Sequence, residues 1–321
     1  MVRSARALFL STAMVLAASP FPSGADEGPP PTAVHAVDAT VDGAAVAVAA
    51  TIEFGGQAPV VLGTDPTGDA PPQSTGHGAA AGLDLTAIRA YRADPTAPVV
   101  TLEWQATTLD QLPPPEVVRY YWQFLVNGTA PFAAQAKTSD AVSAANLGDG
   151  EPTTIAENLA SYPEAGVPGF RLRGNCALIP VGPTGLNNCG HVAWVSGEFD
   201  FDANVVRLHL PLDLERAAVI RPGATIAPDD SGAYSAIQAG ADVENTRDSI
   251  TQVDAYVIPD QAATANLVDA DGAVVASAPL SVGEDGRWHG ALTAPGPGTY
   301  RVDVNACFAD NCGTAGSDVV V

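Results

Sequence analysis

Asp65 and Asp69 flank Pro-Thr-Gly within LGTDPTGDA (62–70), and Asp84 follows where the next apolar run begins. Calcium takes several hard oxygen ligands, commonly carboxylates spaced closely in loops. Asp65, Asp69 and Asp84 are therefore the candidate metal ligands, with Ca2+ as the candidate ion. The same Asp-Pro and Gly-Asp pairs also make turns without any ion. Asp200, Asp202 and Asn204 have the alternate spacing that opens an EF-hand loop. They lack the glycine at loop position six and the closing glutamate, so a hairpin turn at Asn204 is the better reading. Asp269 and Asp271 before Gly272 also read as a hairpin turn. For an organic ligand, the segment 118–126 carries Arg119, Tyr121 and Gln123 on its polar side. Cationic, aromatic and amide groups in one row suit a sugar; an ordinary solvated sheet face would show the same row.

Catalytic patterns are missing. GxGxxG, GxSxG and HExxH do not occur, and one lysine, Lys137, stands outside any glycine-rich phosphate loop. The five histidines show no paired spacing. A triad can assemble from distant residues, so a hydrolase on a β-sandwich stays as a further alternative to a non-catalytic role.

The composition narrows the partners. Against 14 basic residues stand 36 acidic ones, giving a formal charge of −22. Such a surface repels phosphate backbones and anionic lipid, which excludes nucleic acid as a partner. Arg3 and Arg6 precede the apolar Ala7–Ala18 run, and small residues Ser23 and Ala25 then fit a cleavage site. Residues 1–25 read as a secretory signal, too short for a membrane span. A secreted, monomeric protein without membrane insertion is expected. Both methionines fall within this leader, so Met/His haem ligation is excluded for the mature chain, and no nucleotide cofactor is expected. In an exported chain the four cysteines favour two short-range disulfides, Cys176 with Cys189 and Cys307 with Cys312. Spacing alone leaves three connectivities open.

The elements that must position these residues are strands. Val46, Val48, Ala50, Ile52 and Phe54 alternate with polar or small residues, as do Val100, Leu102 and Trp104. The period of two recurs through Val118, Tyr120, Trp122, Phe124 and Val126, and through Val206, Leu208, Leu210 and Leu212. Trp104, Trp122, Trp194 and Trp288 all read as core. A short helix is expected at 154–160, where Thr154 and Glu157 have capping-box spacing, and 133–145 fits helix or strand. Long polar connections are expected at 63–82, 146–169 and 222–248. From about residue 260, turn signals every 8–12 residues indicate a smaller sandwich.

The segment PGPGTYRVDVNAC (295–307) resembles the penultimate strand of bacterial immunoglobulin-like and PKD-like modules. That resemblance implies that Tyr300 sits at a corner and bonds back to the backbone. LGTDPTGDA (62–70), GLDLTAI (82–88) and LHLPLDL (208–214) together resemble secreted DOMON-like jelly rolls related to family-9 carbohydrate-binding modules. The expected class is all-β: a jelly-roll-like antiparallel sandwich plus a smaller immunoglobulin-like one. The expected organisation is signal 1–25, Pro-rich lead-in 26–33, first sandwich 34–258 and second sandwich 259–321. The function expected is non-catalytic binding of carbohydrate or another cell-surface component with a structural calcium; a structural or protein-interaction role in the envelope is the alternative.

Overall fold

The computed structural model describes residues 28–69, 84–109, 116–137, 169–174, 191–239, 242–243 and 248–321. Strands β1 (Ala33–Asp42) and β2 (Ala45–Glu53) form an antiparallel hairpin. In β2, Val46, Val48 and Ala50 are buried while the residues between them face outward, as period-two patterning dictates. β1 lies ahead of the first alternating run read from sequence, Val46–Phe54. It is a half-exposed edge strand whose valines, Val34, Val37 and Val41, fall three and four residues apart, so its period-two alternation is faint.

After Gly55 and Gly56 the chain enters the larger sandwich. A side chain at either glycine would collide with backbone, Pro30 O at 1.7 Å and Ala93 O at 1.8 Å respectively. The chain then runs through β3 (Val60–Thr64), β4 (Leu85–Tyr91) and β5 (Val99–Ala106) in one sheet. It crosses to the second sheet for β6 (Glu116–Val126), β7 (Ala130–Lys137), β8 (Gly169–Gly174) and β9 (His191–Trp194). It returns for β10 (Ser196–Asp200) and β11 (Val205–Pro211). A 3₁₀ turn at Glu215–Ala217 precedes the second crossing, to β12 (Thr225–Ala239), which also pairs with the short β13 (Asp242–Val243), β14 (Ser249–Ile250) and β15 (Tyr256–Val257). The sheet orders are β10-β11-β5-β4-β3 and β13-β12-β6-β7-β8-β9. Since β11 pairs with β5 and β12 with β6, the β5–β6 and β11–β12 crossings leave paired strands of one sheet and arrive at paired strands of the other.

One core fills the space between these sheets. Ile88, Leu102, Trp104, Leu208 and Leu210 meet Tyr120, Trp122, Phe124, Leu172 and Ile226. Each such side chain contributes about 1.5–3 kcal/mol on full burial. Trp104 and Trp122 are core, as their alternation predicts. Trp194 is half-buried and stands opposite Arg171 in the register, rather than in the core as its pattern suggests.

The stretch 222–248 differs from the connection expected there. It holds β12, the strand beside β6. Pro228-Asp-Asp-Ser-Gly232 interrupts the strand at a register shift between Pro228 and Ala233. Proline and a bulge break the visible alternation without ending the pairing.

The chain then returns to the module it started: β16 (Gln261–Val268), β17 (Val274–Pro279), β18 (Ser281–Val282), β19 (Trp288–Thr293), β20 (Thr299–Phe308) and β21 (Asn311–Val320). The sheet orders are β1-β2-β19-β18 and β17-β16-β20-β21. These match the A-B-E-D and C′-C-F-G sheets of the immunoglobulin arrangement. β19 pairs along its whole length with Ala45–Ala50 of β2, and Val46, Val48 and Ala50 share a core with Leu267, Trp288, Leu292, Val302 and Val304. The hairpin 33–53, assigned above to the first sandwich, thus lies in the second. The larger sandwich is inserted between the second and third strands of the smaller one. Sequence adjacency hid this, because half of one sheet comes from the other end of the chain.

Two further features sit where the sequence puts them. The Tyr300 hydroxyl donates to Gly296 O at 2.9 Å, and a disulfide joins Cys307 to Cys312 across paired positions of β20 and β21. The Cys176/Cys189 pair, the leader and the helix expected at 154–160 lie outside the described residues.

The insertion is tied down at its base. Asn311, at the β20–β21 tip, donates from Nδ2 to Pro30 O and Gly56 O, and its Oδ1 accepts from the Thr32 amide at 2.7 Å. Arg92 donates to Pro259 O at 2.6 Å and stacks over the Phe308 ring at 5.0 Å.

Candidate metal centre and candidate ligand face

Three aspartates stand at strand ends of the larger sandwich: Asp65 leaves β3, Asp84 enters β4 and Asp248 enters β14. Gly63 brings the first and last together. A side chain there would meet Gln252 O at 2.6 Å and the Ile250 side chain at 2.8 Å, so only glycine lets β3 approach the Ile250–Gln252 backbone this closely. The Asp254 amide donates to Leu62 O at 2.7 Å along the same approach.

Asp65, Asp69 and Asp248 each offer an oxygen within 4.8 Å of the others. One ion can therefore touch all three, since calcium binds oxygens at about 2.3–2.6 Å. The Asp65 amide donates to Thr86 O. Asp248 accepts from the Leu85 amide at 2.7 Å through Oδ2 and from the Ser249 amide at 2.9 Å through Oδ1. Asp84 stands alongside: its Oδ2 accepts from the Gly68 amide at 2.8 Å and from the Thr107 hydroxyl. The sequence pattern named Asp65, Asp69 and Asp84. The three-oxygen group contains the first two with Asp248 in place of Asp84, which lies one hydrogen bond away through the residue before Asp69.

Crowding of carboxylates governs the electrostatics. Burial, then the charges of Asp248 and Asp69, a hydrogen bond with Asp248 and the charge of Asp84, push the Asp65 carboxyl up to about 6. Burial also raises Asp248, aided by Asp69 and Asp84 and opposed by its two backbone amides. Both hold protons more tightly because like charges sit close together in a partly desolvated group. A divalent cation reverses that repulsion, so the group can hold a metal ion.

The candidate ligand face is less open. Tyr121 and Gln123 are half-buried on the outer side of β6, and register places Arg119 in the same row. Beside them Gln135 is fully buried; it donates to the Tyr121 hydroxyl at 2.6 Å and accepts from Arg171, itself buried. Tyr121 is thus knit into a side-chain network around Gln135. Across the other sheet, Glu103 is buried between Arg89 at 2.6 Å and Arg207 at 2.9 Å. Arg207 continues to Glu198 and Asp200.

The second acidic run makes a turn. Asp200 Oδ1 accepts from the Ala203 amide, Asn204 has φ 56°, and its side chain accepts from the Leu109 amide. Asp269 likewise caps a turn by accepting from the Asp271 and Ala273 amides.

No protein-family model, curated protein or solved structure matches this chain. What stands is an all-β protein of antiparallel sandwiches with a carboxylate group at one end of the larger one.

Proposed function

We propose that this is an exported, non-catalytic binding protein: a DOMON-like sandwich set into an immunoglobulin-like module, with a structural calcium and a polysaccharide or other cell-surface ligand. The observation that carries this reading is the convergence of Asp65 and Asp248, at strand ends, with Asp69 of the β3–β4 connection. Calcium there stiffens the loops that a binding sandwich presents. Arg119, Tyr121 and Gln123 are the ligand-contacting residues in this reading, and the strongly acidic composition favours uncharged glycans over nucleic acid.

The alternative is a structural or interaction protein of the envelope. One observation favours it: Gln135 and Arg171 are buried beside Tyr121, whereas a sugar platform presents an open face. Retention on a panel of insoluble polysaccharides and cell walls, with calcium and then with chelator, separates the two. Specific retention supports the glycan reading. Absence of retention on every matrix moves the ligand to a protein.

A further inference from the structure

We infer that Asp84 supplies a fourth carboxylate to the metal centre through its Oδ1 atom, so that one calcium joins the β3–β4 connection, the entry to β4 and the entry to β14. This rests on the calcium reading above and extends it to a ligand outside the three-oxygen group.

Asp84 is only 6% exposed, and its Oδ1 is buried with no hydrogen-bond partner. Its other oxygen is saturated by Gly68 and Thr107. A buried carboxylate oxygen left without a donor is costly, and native structures rarely tolerate one. The neighbours point to what satisfies it. The amide bonded to its Oδ2 belongs to Gly68, the residue before Asp69. The amide of the next residue, Leu85, is bonded to Asp248. Asp84 is therefore tied to the cluster through the neighbour of Asp69 and through its own neighbour Leu85, and its charge acts on both Asp65 and Asp248.

The chemistry selects the ion class. Four carboxylates offer only hard oxygen donors, which suit calcium and disfavour the nitrogen- and sulfur-seeking zinc. The ligands come from three separated segments, and calcium tolerates such irregular geometry better than magnesium does.

The test uses the chain from Asp26 onward, stripped of metal, with calcium titrated calorimetrically into wild type, Asp84→Asn and Thr107→Val. Asp84→Asn keeps an acceptor for Gly68 and Thr107 while removing the charge, and its calcium affinity should fall at least about tenfold. Thr107→Val removes one hydrogen bond to Oδ2 without removing charge, and should weaken calcium binding less than Asp84→Asn does. Wild-type binding with unchanged affinity in Asp84→Asn overturns the role of Asp84 alone. Absence of calcium binding in wild type overturns the calcium reading with it. A calcium-bound crystal structure of wild type is independent of variant folding: Asp84 Oδ1 should lie at about 2.3–2.6 Å from the ion, and an Oδ1 outside its coordination sphere overturns the inference.

Discussion

The carboxylate of Asp248 accepts a hydrogen bond from the amide of Leu85 at 2.7 Å, across 163 positions of chain. With the Ser249 amide on its other oxygen, it is held in place before any ion arrives. Pre-positioned ligands bind with less ordering cost. Asp248→Asn loses the charge and keeps an acceptor for only one of these two amides. It should fold, melt in chelator below wild type by the loss of one hydrogen bond, about 1 kcal/mol, and show no calcium-dependent rise in melting temperature. A calcium response equal to wild type would remove Asp248 from the site.

Proton uptake gives a second prediction. The Asp65 carboxyl sits at about 6 in the folded protein against an ordinary 3.8. Between those values the folded state binds more protons than the unfolded one, so this group favours folding at low pH. Its contribution is lost as pH rises through about 6. Metal-free protein should gain stability from this group on acidification from pH 7 to pH 5, and Asp65→Asn should remove that gain. Calcium stabilisation should be largest at pH 7 and shrink below pH 6, where protons compete for the same oxygens. Melting temperatures with calcium and with chelator across this range check both; equal calcium effects at pH 5 and pH 7 would contradict the prediction.

Glu103 binds two arginines from a buried position. Removing one partner of such a network strands the others, at about 3–5 kcal/mol for fully buried pairs. Arg89 and Arg207 are about a quarter exposed, so Glu103→Ala should cost nearer ~2–3 kcal/mol. Denaturant titration followed by tryptophan fluorescence in a Trp288→Phe background reads the larger sandwich; a loss below about 0.5 kcal/mol would show the network to be mere surface pairing.

The smaller module offers a sharper comparison. Tyr300→Phe removes one hydrogen bond and should cost about 1 kcal/mol. Asn311→Ala removes contacts to Pro30, Thr32 and Gly56 together, and should cost more, about 2 kcal/mol. It should also expose the Gly55–Gly56 crossing to proteolysis, which Tyr300→Phe should not. Equal cleavage in both variants would show that Asn311 does not secure the insertion.

Strands with buried alternating faces were legible because period two records burial directly: Val206–Leu212 and Tyr120–Val126 are examples. Tyr300 and the Cys307–Cys312 bridge were legible because both act within a few residues. The insertion was not, because β2 pairs with β19 across the whole larger sandwich, and no local pattern reports such pairing. At the metal centre, Asp65 and Asp69 stood out by spacing. Asp248 had no local signal; it joins them only because Gly63 permits two backbones to approach. β12 was hidden by Pro228 and its bulge, which imitate a loop.

The most direct test is the melting curve of the chain from Asp26 onward, stripped of metal and then measured in excess calcium and in chelator. Calcium at about 100 times its dissociation constant should stabilise the fold by about 2.7 kcal/mol, raising the melting temperature reversibly, with magnesium at equal concentration giving a smaller rise. Superimposable curves in calcium and chelator, with metal removal verified, would contradict the account at its centre.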